Sequence, residues 1–126
     1  MNRTAIQTAE APAAIGVYSQ AIRHNDCVYI SGQLPLDPTT GELAGGGIEA
    51  EIRQVFTNLQ SIAAAAGADL NNALKVTVFL TDLSHFALVN EIMAQFCSEP
   101  YPARAAVQVA ALPKGVAVEA DAIVAV

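Results

Sequence analysis

Ile48-Glu49-Ala50-Glu51-Ile52-Arg53-Gln54-Val55-Phe56-Thr57-Asn58-Leu59-Gln60-Ser61-Ile62-Ala63-Ala64-Ala65-Ala66-Gly67, followed after a short link by Leu74-Lys75-Val76-Thr77-Val78-Phe79-Leu80-Thr81, carries the two periodicities that decide the fold class. In the first stretch Ile48, Ile52, Val55, Phe56, Leu59, Ile62, Ala63 and Ala66 recur at steps of three and four, opposed by Glu51, Asn58 and Ser61. Residues so spaced share one face of a 3.6-residue turn, which predicts a helix with one buried stripe, stopped by Gly67. The second stretch alternates and is rich in β-branched residues. It predicts a strand with Leu74, Val76, Val78 and Leu80 on one face.

Toward the C-terminus, Phe86, Val89, Met93 and Phe96 mark a second helix, with Asp82 or Ser84 as N-cap and Pro100 and Pro102 barring its extension. Two further strands, 104–111 and 116–124, are joined by Leu112-Pro113-Lys114-Gly115. Toward the N-terminus, strands at 17–24 and 27–31 form a hairpin about Asn25-Asp26, Gly32 ends the second, and a turn-rich loop closes at Gly45-Gly46-Gly47. The order is ββαβαββ, a single α+β domain over residues 1–126 with two helices on one face of a mixed sheet. The other face stays apolar and is expected to pack against copies of the same chain.

Composition agrees with one compact unit. The 126 residues are 53% hydrophobic and 14% charged, which excludes intrinsic disorder. A formal charge of −6 argues against nucleic acid or an anionic membrane as partner. Every apolar run is interrupted before the roughly 18 residues of a membrane span, and the first residues lack the apolar core of a signal peptide, so a cytoplasmic protein is expected. Cys27 and Cys97 have no CxxC spacing, and with only His24 and His85 no zinc set is expected.

Arg104 opens an otherwise uncharged strand, where it either rests at the rim as an ion pair or grips a carboxylate with its planar fork. Glu119 is a lone carboxylate between Val118 and Ala120, either an ion-pair partner or a base. If a tight turn at Pro113-Lys114 pairs the last two strands, Glu119 lies opposite Gln108 and shares a face with Ala106 and Arg104, on the order of 13 Å away along the sheet. Tyr18, Ser31, Gly32 and Asn90 are weaker polar candidates, each with a plain packing or turn role as alternative. No Ser-His-Asp set, dinucleotide fingerprint or phosphate loop is present.

Ordered blocks run along nearly the whole chain. They are Ala11-Pro12-Ala13-Ala14-Ile15-Gly16-Val17-Tyr18-Ser19-Gln20, Ser31-Gly32-Gln33-Leu34-Pro35-Leu36-Asp37-Pro38-Thr39-Thr40-Gly41-Glu42, Ala73-Leu74-Lys75-Val76-Thr77-Val78-Phe79-Leu80-Thr81-Asp82-Leu83, Phe86-Ala87-Leu88-Val89-Asn90, Tyr101-Pro102-Ala103-Arg104, and Val109-Ala110-Ala111-Leu112-Pro113-Lys114-Gly115 leading to Val118-Glu119. With them the chain resembles the RidA/YjgF family of 2-iminobutanoate/2-iminopropanoate deaminases. The resemblance implies a chorismate-mutase-like homotrimer with sites between subunits, no cofactor, and small 2-imino and 2-keto acids as ligands. It further implies that Arg104 binds the substrate carboxylate and Glu119 activates water. Tyr18 then lines the pocket, with polar contacts from Gly32, Asn90 and the backbone of Ala106; Ser31 is kept as a further binding candidate. Ala120-Asp121 after the base and a short link before Tyr101 depart from the family pattern. Two other functions remain open at the level of sequence: a trimer that binds keto or amino acids without chemistry, and, against the charge, a ribonuclease or translation inhibitor.

Overall fold

The computed structural model describes residues 2–126. Strands β1 (Thr4–Ile6), β2 (Ala21–His24), β3 (Cys27–Gln33), β4 (Ala73–Leu80), β5 (Ala103–Gln108) and β6 (Val118–Ala125) form one sheet in the order β1-β2-β3-β6-β4-β5. Helix α1 (Ile48–Ala65) follows β3, and α2 (Phe86–Phe96) follows β4. All strand pairs are antiparallel except β4 with β5. That exception follows from α2, because a helical crossover returns the chain to the same end of the sheet and sets the next strand parallel.

Both helices lie on one face of the sheet, each turning its apolar stripe toward a common core. Ile52, Val55, Phe56, Leu59 and Ile62 of α1 and Val89, Ile92 and Met93 of α2 bury against Val28, Ile30, Val76, Val78, Leu80, Val118, Ala120 and Val124 of the sheet. At the N-terminus of α1, Gly47 has φ 87° and offers no side-chain cap, and Glu49 and Glu51 in the first turn complement the helix dipole instead. Before α2, Asp82 accepts a hydrogen bond from Ser84 N–H (2.9 Å), so the expected cap forms on a short 3₁₀ turn at Leu83–His85 that leads into the helix.

Several expectations need correction. The order is βββαβαββ, because Thr4–Ile6 adds an edge strand against β2. Residues 17–20 stay outside β2, since the segment is tied by side chains rather than by a strand ladder. A register shift between Ala73 and Lys75 turns Leu74 outward, leaving Ala73 in the core in its place. Asn58, assigned to the polar side of α1, is fully buried.

The largest correction concerns the last two strands, which do not form a hairpin. The link 109–117 carries the chain past the end of β4, with Val109 N–H donating to Leu80 O (2.8 Å) and Thr81 N–H to Ala117 O (3.1 Å). A strand has two edges, and β4 gives one to β5 and the other to β6. Arg104 therefore stands beside Val76 and Glu119 beside Phe79. Those two β4 positions are three residues apart, and successive side chains alternate faces. Arg104, Ala106 and Gln108 thus point to the helix side, whereas Glu119, Asp121 and Ile123 point to the open side.

Candidate functional site

Two pockets result, one on each side of the sheet. The Cα atoms of Arg104 and Glu119 are separated by two strand spacings and three residues along the strands, roughly 14 Å, with β4 between them. The separation is close to that anticipated from sequence, but the shared face is not.

Glu119 borders a cavity of about 640 Å³ at the end of the open face, whose wall is mostly apolar: Pro12, Ile15, Leu34 and Leu36. Burial pushes the Glu119 carboxyl up from the usual carboxylate range, and the charge of Asp121 on the same strand face adds to the shift. Arg104, a cation that would oppose this shift at close range, lies across the sheet on the other face.

Gly32 enters here through shape. A Cβ built on it would collide with Glu119 Oε2 and lie 3.0 Å from Cδ, so the missing side chain is what lets the carboxylate rest on the β3 backbone. The irregular pairing of β3 with β6 between Ile30 and Gln33 sits at this point. Ser31 plays a supporting part, in which its hydroxyl donates to Ser19 O (2.6 Å) and its N–H to Gln20 O (2.9 Å), tying β3 to the loop that carries Tyr18. Tyr18 stands half exposed at the cavity mouth, on a segment where Ile15 and Val17 are also turned to solvent.

On the helix side, Arg104 is held by α2. Its Nη1 donates to Asn90 Oδ1 and lies 3.9 Å from Met93 Sδ, and Cζ is 4.8 Å from the Phe86 ring centroid. Asn90 and Phe86 are one helical turn apart, so α2 presents both to the guanidinium. A depression of about 440 Å³ opens beside it, edged by Met93, Ala94, Tyr101 and Pro102. Ala106 shares this side and packs partly against the core.

The structure therefore brings Glu119, Gly32, Ser31 and Tyr18 together and brings Arg104 and Asn90 together, but it does not join the groups within one chain. Two residues with supporting roles went unread in the sequence. Gln20 is buried, accepts from Thr8 N–H (2.7 Å) and donates to Thr8 O (3.0 Å) and Pro12 O (2.8 Å), pinning the segment beside the Glu119 cavity. Asn58 lies three residues after Val55 and four before Ile62, a spacing that marks it as part of the buried stripe. Among the described residues no cluster of three or more His, Cys, Asp or Glu side chains has the geometry to hold a metal ion, and no helix is long and apolar enough to cross a membrane.

The sequence profile of the family described as Endoribonuclease L-PSP matches residues 8–126. The chain belongs to the RidA/YjgF family. Within that family it is similar to a Bos taurus protein named 2-iminobutanoate/2-iminopropanoate deaminase, with 51% identity over 121 residues, covering 96% of this chain and 88% of that one. The crystal structure of RidA from an Antarctic Psychrobacter species matches with a TM-score of 0.93 and 55% identity, over 98% of this chain and 99% of the other. E. coli TdcF, solved with bound serine, matches with a TM-score of 0.91 and 40% identity, over 98% of each chain. The βββαβαββ sheet and its two helices are thus the RidA/YjgF fold in a single α+β domain.

Proposed function

We propose that this protein hydrolyses reactive 2-imino acids to 2-keto acids and ammonia, at sites shared between neighbouring copies of the chain. The observation that carries the reading is the division of the two candidate groups between opposite faces of one sheet. A guanidinium on the edge strand β5 and a desolvated carboxyl on the open face meet a common small molecule only if a second copy brings the missing half. A homotrimer with sheets inward, of the chorismate-mutase-like kind, meets that requirement three times and also covers Tyr29, Phe79, Val107 and Ile123 on the open face. The name of the Bos taurus relative supports the chemistry.

Arg104 of one copy holds the substrate carboxylate in a bidentate pair, which fixes C2 over the Glu119 cavity of the next. Ionised Glu119 takes a proton from a water as its oxygen bonds to C2 of the protonated imine, giving a carbinolamine. Glu119 then gives that proton to the amino nitrogen, the C–N bond breaks with its electron pair leaving on ammonia, and the restored Glu119 carboxylate takes the hydroxyl proton as the keto oxygen forms. A positioned base of this kind is typically worth about 10² to 10⁴-fold. Gly32 and Ser31 shape the floor of the site, Tyr18 closes its mouth, and Asn90 orients Arg104. The backbone of Ala106 borders the carboxylate end.

A second reading, a trimer that binds amino or keto acids without chemistry, draws on the serine bound in E. coli TdcF. A competition assay separates the two. An amino-acid oxidase generates 2-iminobutanoate or 2-iminopropanoate beside semicarbazide, and semicarbazone formation is followed. The deaminase suppresses the trapped product, and Arg104→Ala and Glu119→Gln do not. A parent without effect on any imine, together with retained ligand binding in Glu119→Gln, overturns the enzymatic reading. The acidic charge and the absence of a basic stripe give no support to ribonuclease action.

A further inference from the structure

Asn58 is a wholly buried polar side chain in the apolar stripe of α1, and its hydrogen bonds lead to the Glu119 cavity. Its Nδ2 donates to Leu34 O (3.1 Å) and to Leu36 O (3.0 Å), and its Oδ1 accepts from Gln54 Nε2 (2.8 Å), one helical turn earlier. The carbonyls it satisfies flank Pro35, where the chain turns tightly enough for Leu36 N–H to donate back to Leu34 O (2.8 Å). Such a turn aims both carbonyls toward α1, away from β-ladder partners, the Leu36 carbonyl into a buried contact and the Leu34 carbonyl into a half-buried one. The side chains of the same two leucines form part of the wall of the Glu119 cavity. The strap that carries them starts at Gly32, the residue on which the Glu119 carboxylate rests.

We infer that Asn58 is a positioning residue that sets substrate selectivity: by holding the Leu34 and Leu36 carbonyls it fixes the apolar wall against which the substrate side chain rests. The inference rests on the reading of the Glu119 cavity as the substrate pocket. Asn58 touches no substrate and acts through the strap. An asparagine suits the place because one primary amide supplies two donors to two carbonyls and leaves an acceptor for Gln54, whereas leucine of similar volume leaves Leu36 O without its donor and Leu34 O with only the Leu36 N–H. A purely structural clamp and a positioning clamp differ in one readout. The first lowers stability alone, and the second also changes the preference between ligands of different side-chain size.

The test compares parent, Asn58→Asp, which keeps the shape and removes the donors, and Gln54→Ala, which frees Asn58 to turn. Calorimetry at a temperature where circular dichroism shows each variant folded measures affinity for the 2-keto acids corresponding to alanine and to leucine, alongside turnover of the matching imines. In Asn58→Asp the leucine-derived ligand is expected to weaken relative to the alanine-derived one by about tenfold. Gln54→Ala shifts the ratio in the same direction by less, and decides the matter alone if Asn58→Asp does not fold. Equal weakening of both ligands, or a lowered Tm with an unchanged ratio, overturns the inference. A parent that binds both keto acids but hydrolyses neither imine refutes deamination while the binding ratio still decides on Asn58. A parent that binds neither keto acid overturns both.

Discussion

The surroundings of Glu119 and of Arg104 are built on opposite principles. Glu119 lies in a wide apolar hollow made by the end of β3, the strap after it and the segment pinned by Gln20, and burial holds its carboxyl above the ordinary range. Arg104 sits exposed on the helix side of the edge strand β5, clasped by Asn90 and Phe86 of a single helix. A base gains from desolvation, since a carboxylate poor in solvent accepts a proton more readily. A carboxylate receptor gains from pre-organisation while its charge stays hydrated until the ligand arrives. Keeping the two apart in each chain also keeps them from neutralising one another as an ion pair. The sheet between them is what a second copy must bypass.

The sharpest way to break this comparison is to inactivate the halves separately and recombine them. Arg104→Ala and Glu119→Gln are each expected to lower imine turnover by about 10² to 10⁴-fold. Unfolding the two variants together and refolding them at equal concentration restores about one site in four if the halves come from different chains of a head-to-tail ring. Turnover that stays at the level of the separate variants refutes a shared site. Gly32→Ala comes next. Its Cβ displaces the end of the Glu119 side chain rather than backbone, so the melting temperature changes little, while kcat falls on the order of 10²-fold because the base is misplaced. Unchanged kcat in a folded Gly32→Ala removes Glu119 from the reaction.

Asp121→Asn probes the electrostatics of the apolar half. Glu119 must be ionised to act as a base, so kcat/KM falls as pH drops through its raised pKa. Removing the neighbouring charge moves that acid limb to lower pH, by part of the shift only, since burial is the larger cause. An acid limb that does not move shows that another group controls it. The same raised pKa bears on stability. The folded chain holds the Glu119 proton to higher pH than the unfolded chain, so this group costs stability as pH rises between the two pKa values, and in the isolated subunit Glu119→Gln removes that cost at neutral pH. The smallest effect is expected from Asn90→Ala, which loosens Arg104 by one hydrogen bond and raises KM by about fivefold with little change in kcat. A fall in kcat with unchanged KM places Asn90 in the chemical step instead.

The two helices were legible because a burial stripe repeats every three to four residues within one continuous segment, and the 48–67 stretch meets α1 to within a residue or two. Of the site, the singularity of Arg104 and Glu119 in uncharged strands was legible too. The supporting polar groups were harder. Gln20 looks like an ordinary surface residue and Asn58 like a polar misfit in the buried stripe of α1, and only the carbonyls of Pro12, Leu34 and Leu36 explain them. The stretch 17–20 was expected to open the strand that runs to His24, yet it is held by the Gln20 amide and the Ser31 hydroxyl instead of a ladder.

Local sequence determined the two helices and the main strands, most of the residues of α1 and β4 that meet the core, with Asn58 and Leu74 as exceptions, and which two side chains stand out chemically, because each of these depends on periodicity or contrast over a few neighbours. Tertiary structure alone decided that β6 inserts between β3 and β4, and with that insertion the faces of Arg104 and Glu119. Alternation tells that successive residues point opposite ways, but it does not tell which strand lies alongside, and a change of partner by an odd number of positions sends a side chain to the other face. One strand pairing, invisible within any single segment, turns two residues that share a face on paper into two halves on opposite sides of a sheet.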